Sequence, residues 1–350
     1  MIKKLLLLFL GLNVLLINAQ QSYYNDVDLT KSGLELKQEL ATKIINTHGN
    51  FLDYTPDVWE ACKATDVNPD NSSQVILIYG YTSSGTTART RGINDNGGSV
   101  GDWNREHVYP RSLGNPNLGS SGPGSDAHHL RPSDVQYNSQ RGNKAFADGS
   151  GNSGDVTGGW YPGDEWKGDV ARMMMYMYLR YGDRCLPSVV GVGSSASTPD
   201  DMIDLFLEWN AEDPVSTIED NRNNYHENVA NQYAQGNRNP FIDNPNLATQ
   251  IWGGPNAENR WATASVNDLT KLSDVRAFPN PSLDGNIHVI ASQSKITAIK
   301  VYSVLGKQVY SVKNPVFIRN KHAIKNLKTG IYLLKIMGEN SFTTKKIIIN

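Results

Sequence analysis

The pattern of apolar residues changes near residue 256, which indicates that the chain has two domains. Before it, apolar residues recur at helical spacing, most regularly over Glu165–Tyr181, with polar and glycine-rich stretches between the helices. Residues 256–274 lose this periodicity, and we interpret them as a linker. After them, short stretches alternate apolar and polar residues, as in a small β-sandwich. We therefore expect an α+β chain, with a mainly helical domain at residues 20–255 and an all-β sandwich domain at residues 275–350.

The two parts also differ in charge. Residues 281–350 contain 11 of the 33 Lys and Arg residues but only 2 of the 35 Asp and Glu residues. Residues 1–280 therefore hold 22 basic and 33 acidic residues. An acidic larger part argues against a broad basic platform for nucleic acid, so any phosphate-binding surface there must be local.

Periodicity places the individual elements. Helical spacing predicts helices at residues 34–47, 57–64, 133–147, 165–181, 200–209 and 218–233. Apolar, β-branched runs predict strands at residues 74–81 and 103–110 and, in the last part, at 286–292, 296–302, 308–312, 316–319, 330–337 and 342–349. The methionine row within residues 165–181 is typical of a buried core helix.

The first 19 residues have the anatomy of an export signal. Two lysines are followed by the apolar run Leu5–Ile17 and by the small residue Ala19. A membrane helix is the weaker interpretation, because the run is shorter than the roughly 20 residues needed to span a bilayer. We expect the mature chain to begin near Gln20.

Only Cys62 and Cys185 are available for thiol chemistry. Their spacing fits no zinc-finger pattern, and two cysteines do not make a disulfide scaffold. The sequence leaves a disulfide and two buried thiols equally open. Neither cysteine lies near the polar stretch described next, so we do not expect a cysteine nucleophile.

Residues 104–146 concentrate groups that are poorly suited to a core. Three of the seven histidines fall here, together with amides, carboxylates and several cationic side chains. Such groups are costly to bury without partners. We interpret the stretch as an active site that holds a metal and handles a phosphate.

The chemistry of particular residues supports this interpretation. Glu106 and Asn138 offer oxygen atoms which, with water and phosphate oxygens, suit Mg²⁺ or Ca²⁺. His107 is suited to act as a general base on water. Neighbours in a strand point to opposite faces, so Glu106 and His107 can serve one site only if the strand ends or twists there, as Pro110 would allow.

Cationic side chains of the stretch can clamp phosphates, since the arginine fork suits phosphate oxygens. They are Arg105, Arg111, Arg131, Arg141 and Lys144. His128 and His129 could form half of a zinc site, but no nearby cysteine or helical histidine pair supports it. We expect Asp126 and Asp134 to orient histidines or to cap helices, with Ser133 as the other candidate cap.

Several blocks of this sequence closely resemble the bacterial endonuclease I family, whose members are exported, sequence-tolerant nucleases with a ββα-metal active site. The blocks lie at residues 105–112, 126–134, 138–143, 168–172 and 235–241. The resemblance extends from about Leu34 to Trp252 and implies residue roles. It implies that His107 activates the attacking water and that Glu106 and Asn138 bind the metal.

The resemblance further implies a structural role for His128 and Mg²⁺ as the metal, with Ca²⁺ or Mn²⁺ as substitutes. The phosphate-stabilising arginine of the relatives lies in a cysteine-bearing insertion that this chain lacks. Arg111, Arg131 and Arg141 remain as candidates, and we assign Arg131 and Arg141 to the catalytic set. Secretion does not here imply the cross-links of the disulfide-bonded relatives.

The last part resembles a C-terminal sorting domain of the type IX secretion system. The resemblance rests on residues 277–282, 301–306, 330–336 and 345–349. It implies that the secretion machinery is a partner, that the chain crosses the outer membrane, and that the protein is secreted or held at the cell surface.

The sequence therefore predicts a secreted, Mg²⁺-dependent, monomeric endonuclease that hydrolyses phosphodiester bonds in DNA, with RNA as a further substrate. Arginines that hold the backbone without reading bases imply little sequence preference. Two other functions remain open at this point. One is a metal-dependent phosphoesterase acting on small substrates, and the other is an inactive, surface-displayed binding protein.

Overall fold

A computed structural model describes residues 22–261, 275–291, 295–304, 306–318, 320–338 and 342–350. The expected export signal and residues 262–274 of the expected linker lie outside these ranges. The chain forms two compact units, residues 1–263 and 264–350. Among the helices that the structure describes, none is long and apolar enough to cross a membrane.

The first unit combines helices with short antiparallel sheets. Its helices are α1 Gly33–Thr47, α2 Asp57–Thr65, α3 Val135–Arg141, α4 Lys167–Tyr181, α5 Pro187–Val190, α6 Asp204–Glu212, α7 Thr217–Glu227, α8 Pro240–Asp243 and α9 Asn246–Trp252. Its strands are β1 Val67–Asn68, β2 Asn71–Ile76, β3 Thr90–Gly92, β4 Trp103–His107, β5 Leu130–Asp134, β6 Gly154–Val156 and β7 Gly159–Tyr161.

Helix α4 is the centre of the first unit. Its residues from Gly168 to Leu179 are all buried, and α1, α6 and α8 pack against it. A helix that is buried on every side is found in the core of a large domain. The prediction that its methionines belong to the core is confirmed, and so are the bounds predicted for α1 to within a residue.

Other elements are shorter than the sequence predicts. Helix α3 ends at Arg141, because Gly142 has a φ of 60° that terminates the helix. Strand β2 ends at Ile76, and Tyr79 beyond it has a φ of 69°. That left-handed backbone is incompatible with the predicted continuation of the strand to residue 81.

Strands β4 and β5 form an antiparallel pair that leads directly into α3. Glu106 pairs with Arg131 in the register, and His107 pairs with Leu130. Asp134 begins α3, and its Oδ1 accepts hydrogen bonds from the backbone N–H groups of Gln136 at 2.9 Å and Tyr137 at 3.1 Å. Of the two residues predicted as caps, Asp134 is therefore the cap.

The second unit is all-β. Its strands are β8 Arg276–Phe278, β9 Ile287–Ile290, β10 Ile296–Ser303, β11 Gln308–Lys313, β12 Lys321–Ile324, β13 Gly330–Gly338 and β14 Phe342–Ile349. They form two antiparallel sheets, β11-β10-β13-β14 and β12-β9-β8, and both sheets contribute to one apolar core. The predicted strand at 316–319 is wrong for its described residues, because 316 and 317 belong to no strand and Ile318 forms only an isolated bridge with Lys321, where β12 begins. Residue 319 lies outside the described ranges.

Both cysteines are buried thiols, which decides between the alternatives that the sequence left open. Burial raises the pKa of Cys62 and of Cys185 to about 12. Almost no thiolate is therefore present at neutral pH, which argues against a cysteine nucleophile.

Buried histidines make the first unit sensitive to acid. Burial lowers the pKa of His128 from 6.5 to about 4. The unfolded chain then binds more protons than the folded chain between these values, so stability is lost as the pH falls through this window. We expect His128 to contribute a loss of about 3 kcal/mol in the free energy of unfolding between pH 7 and pH 4. Urea unfolding of wild type and His128→Gln at both pH values measures this, and equal pH slopes would contradict it.

Candidate active site

The first unit contains a polar cavity of about 630 Å³ where β4 and α3 meet. It is lined by Tyr54, Asn104, Arg105, Glu106, His107, Pro110, Arg111, Ser112, Asn117, Asn138, Gly142 and Asn143. Three of the residues predicted from sequence, Glu106, His107 and Asn138, are thus brought together. Glu106 and His107 share the cavity because β4 ends at His107, as the sequence requires.

The Glu106 carboxylate is almost fully buried, with 2% of its surface exposed. The Tyr79 hydroxyl donates to its Oε1 at 3.1 Å, and Arg141 Nε lies 3.5 Å from the same oxygen. Burial raises the pKa of Glu106 to about 7, and the charge of Arg141 opposes this rise. A cation bound beside the carboxylate would favour its ionised form further.

The His107 ring is oriented by a backbone carbonyl. Its Nε2 lies 2.9 Å from the Gly124 oxygen, so in the neutral ring Nε2 carries the hydrogen and Nδ1 carries the lone pair. Burial lowers the pKa of His107 to about 2, and His129 adds to this effect. The ring is therefore neutral in the free protein, and a bound phosphodiester anion would raise its proton affinity.

Asn138 is held in one orientation by Asn104. Asn138 Nδ2 donates to Asn104 Oδ1 at 2.7 Å, which leaves Asn138 Oδ1 as the oxygen available to the cavity. No role was predicted for Asn104 from the sequence. The signal was present, because residues two apart on a strand share a face and Asn104 lies two residues before Glu106.

These donors fit a hard divalent cation. Glu106 and Asn138 offer oxygen atoms only, and Mg²⁺ is commonly bound by one or two protein oxygens together with water and phosphate. Among the described residues no group of three or more His, Cys, Asp or Glu side chains could hold a metal. His128 Nε2 and His129 Nε2 lie 3.2 and 2.8 Å from the carbonyl oxygens of Asn237 and Pro123, so these two nitrogens already have partners.

Arg131 and Arg141, which were predicted from the sequence to be catalytic, do not line the cavity. Arg131 is fully buried, with Nε 2.6 Å from Asp66 Oδ1 and Nη1 2.9 Å from Asp169 Oδ2. Arg141 is fully buried as well. It lies beside Glu106, and its Nη2 donates to the Val108 carbonyl at 3.0 Å. Of the cationic residues named from sequence, only Arg105 and Arg111 line the cavity.

Comparison with known families identifies both parts of the chain. The endonuclease I family matches residues 32–246, and the chain belongs to that family. The secretion system C-terminal sorting domain matches residues 276–350. The chain is therefore a secreted nuclease, exported from the cell or held at its surface.

Two relatives bear the name extracellular ribonuclease. That of Bacillus amyloliquefaciens is 43% identical over 244 residues, which cover 66% of this chain and 78% of the relative. That of Bacillus subtilis (strain 168) is 44% identical over 241 residues, with the same coverage. Among solved structures, the sulfur carrier protein SoxY from Chlorobium limicola f thiosulfatophilum is 13% identical with a TM-score of 0.17, over 22% of this chain and 75% of SoxY. That likeness is too small to bear on the fold.

Proposed function

We propose that the chain is a Mg²⁺-dependent endonuclease that hydrolyses phosphodiester bonds in both RNA and DNA, with Ca²⁺ or Mn²⁺ as possible substitutes. The observation that carries the proposal is the convergence of Glu106, His107 and Asn138 on one cavity. Two antiparallel strands followed by a helix, β4, β5 and α3, supply all three residues, which supports a ββα-metal arrangement. RNA is included because both relatives are named ribonucleases.

Glu106 and Asn138 Oδ1 would hold the cation. When bound, it supplies positive charge that stabilises the phosphorus centre and the leaving oxygen. His107 Nδ1 accepts a proton from a water molecule, whose oxygen attacks phosphorus as the bond between phosphorus and the leaving oxygen breaks. The leaving oxygen takes a proton from solvent water, and the imidazolium returns its proton to solvent. The Gly124 carbonyl keeps His107 in the required tautomer and stabilises the imidazolium that forms.

Because water is the nucleophile, the mechanism needs no 2′-hydroxyl group. DNA and RNA should therefore both be cleaved, and RNA should give no 2′,3′-cyclic phosphate. The test is the incubation of the full mature chain with supercoiled plasmid and with RNA, in Mg²⁺ and in EDTA. Cleavage of RNA alone, with cyclic products, would overturn the proposal. Hydrolysis of a small aryl phosphate diester without polymer cleavage would favour a small-molecule phosphoesterase.

Arg111 is the best placed residue to hold the substrate phosphate, because it is exposed and lines the cavity. We expect Arg111→Ala to lower kcat/KM by roughly 10- to 100-fold, the range for loss of a charge-assisted hydrogen bond. Lys144→Ala is the matched control. Lys144 is an exposed cation near the end of α3, it is paired with Asp155, and it does not line the cavity. Similar losses in both variants would contradict a specific role for Arg111.

Asn104 should contribute to metal affinity through Asn138. We expect Asn104→Ala to weaken Mg²⁺ binding by roughly tenfold, as is usual when the hydrogen-bond partner of a metal ligand is lost. Asn104→Asp keeps the acceptor oxygen and should retain most of the affinity. Titration calorimetry with Mg²⁺ alone measures this without reference to turnover. Equal affinities for wild type and Asn104→Ala would show that Asn138 is oriented by other contacts.

A further inference from the structure

One wall of the cavity is formed by the Tyr54 ring and the Arg105 guanidinium, and the Trp59 ring packs on Arg105 outside the cavity lining. Arg105 lies between two rings, with its Cζ 3.7 Å from the centre of the Tyr54 ring and 3.9 Å from that of the Trp59 ring. Its Nη1 donates to the Tyr54 carbonyl and, at 2.9 Å, to Thr55 Oγ1. These contacts fix the segment that carries Tyr54, between α1 and α2, against β4. The Tyr54 ring is therefore a rigid part of the cavity.

Tyr54 lies close to the residues that are proposed to act on the phosphate. Its ring centre lies 5.3 Å from that of His107, and the guanidinium of Arg111 lies 5.8 Å from the Tyr54 ring. Arg105 and His107 lie two residues apart on β4, so they share a face of that strand. A nucleotide whose phosphate is attacked beside His107 would thus place a neighbouring base or sugar next to Tyr54.

Arg105 places a positive charge beside the Tyr54 ring. Within the described ranges, Arg105 forms no ion pair with a carboxylate, and its polar contacts go to the backbone and hydroxyl oxygens of residues 54 and 55. Its positive charge is therefore not neutralised by a partner. An aromatic ring beside an uncompensated cation is the combination that proteins use to bind single-stranded nucleic acid, with bases on rings and phosphates near cations.

We propose that Tyr54, supported by Arg105 and Trp59, is a base-stacking subsite for the nucleotide next to the scissile phosphate. This inference rests on the proposed function and refines its substrate class, because a base must leave its own stack to reach the ring. Single-stranded segments of RNA or DNA are therefore the substrates that this subsite recognises. Stacking is indifferent to base identity, since every base has a π face, which agrees with a nuclease of low sequence preference.

The subsite is tested by binding, not by cleavage. The full mature chain is titrated in EDTA with a fluorescent oligothymidylate and with an abasic sugar-phosphate chain of the same length and charge. Wild type should bind the oligothymidylate more tightly than the abasic chain by roughly tenfold, as expected for the stacking of one base. Tyr54→Leu should abolish this difference and leave the affinity for the abasic chain unchanged. Tyr54→Phe, which keeps a ring, should preserve the difference.

Phe51→Leu is the matched control. Phe51 is an aromatic residue of the same segment with 64% of its surface exposed, but it does not line the cavity. The Phe51→Leu protein should bind the oligothymidylate and the abasic chain as wild type does. A preference for bases that persists in Tyr54→Leu, or that is lost equally in Phe51→Leu, would overturn the subsite. If Tyr54→Leu weakened both probes equally, its role would be structural, and the proposal would also fail. Because no turnover is measured, failure of the subsite is distinct from failure of the plasmid and RNA cleavage test.

Discussion

Replacing His107 with alanine should lower the rate of phosphodiester hydrolysis by roughly 10²- to 10⁴-fold, the range that general base catalysis contributes. The reason is the position of the ring. His107 is the only histidine lining the described cavity, and the hydrogen bond from Nε2 to Gly124 leaves Nδ1 as the basic nitrogen. The measurement is the initial rate of plasmid and RNA cleavage at saturating Mg²⁺, compared with wild type at the same pH.

The fold and the metal site should survive this change. His107→Ala should bind Mg²⁺ with unchanged affinity, since Glu106 and Asn138 are intact. Added imidazole should restore part of the rate, because a small base can enter the space that the side chain leaves. Normal turnover by a correctly folded His107→Ala protein would refute the mechanism. Loss of Mg²⁺ binding would instead point to a structural role for the ring.

Replacing Arg131 with alanine should act on stability. Its guanidinium contacts two buried carboxylates, Asp66 and Asp169, and the side chain of Arg131 is itself fully buried. Removing it leaves two buried carboxylates without this shared cation. Breaking a buried ion pair in this way typically costs about 3–5 kcal/mol. We therefore expect the free energy of unfolding of the first unit to fall by about that amount, as measured by urea denaturation.

This result would distinguish the two roles open to Arg131. Lys144→Ala removes an exposed ion pair and should change stability by less than about 1 kcal/mol, which makes it the control. A folded Arg131→Ala protein of normal stability but with little activity would restore Arg131 as a catalytic residue. Arg111→Ala should show the opposite pattern, with a loss of activity and unchanged stability.

The sequence predicted much of this architecture because local patterns determine it. Helix α4 follows from its apolar periodicity, and Asp134 follows from the preference of helix N-termini for short acceptor side chains. The polar stretch 104–146 contains Glu106, His107 and Asn138, and all three belong to the unit formed by β4, β5 and α3. Strand β4 carries Glu106 and His107, and helix α3 carries Asn138 about 30 residues later, so closeness in sequence became closeness in space.

The features that the sequence did not predict depend on contacts between residues that are far apart in the chain. Tyr54 reaches the site from about 50 residues away, and only its stacking on Arg105 reveals this. Arg131 looks like a phosphate ligand in sequence, but its partners Asp66 and Asp169 come from distant parts of the chain. Tyr79 adopts a strained backbone conformation where Ser153 Oγ donates to its carbonyl at 2.6 Å and its own hydroxyl reaches Glu106. Tertiary contacts of this kind override strand propensity.

The two buried thiols bear on the redox conditions under which this nuclease can fold. A protein that needs a disulfide forms that bond only after it reaches an oxidising compartment, so oxidation controls when such a protein reaches its final structure. Cys62 and Cys185 are free in the described structure, so the first unit needs no disulfide between them. We therefore expect the first unit to fold to the same structure in reducing and in oxidising buffer. Treatment with a thiol reductant should leave both its stability and its nuclease activity unchanged.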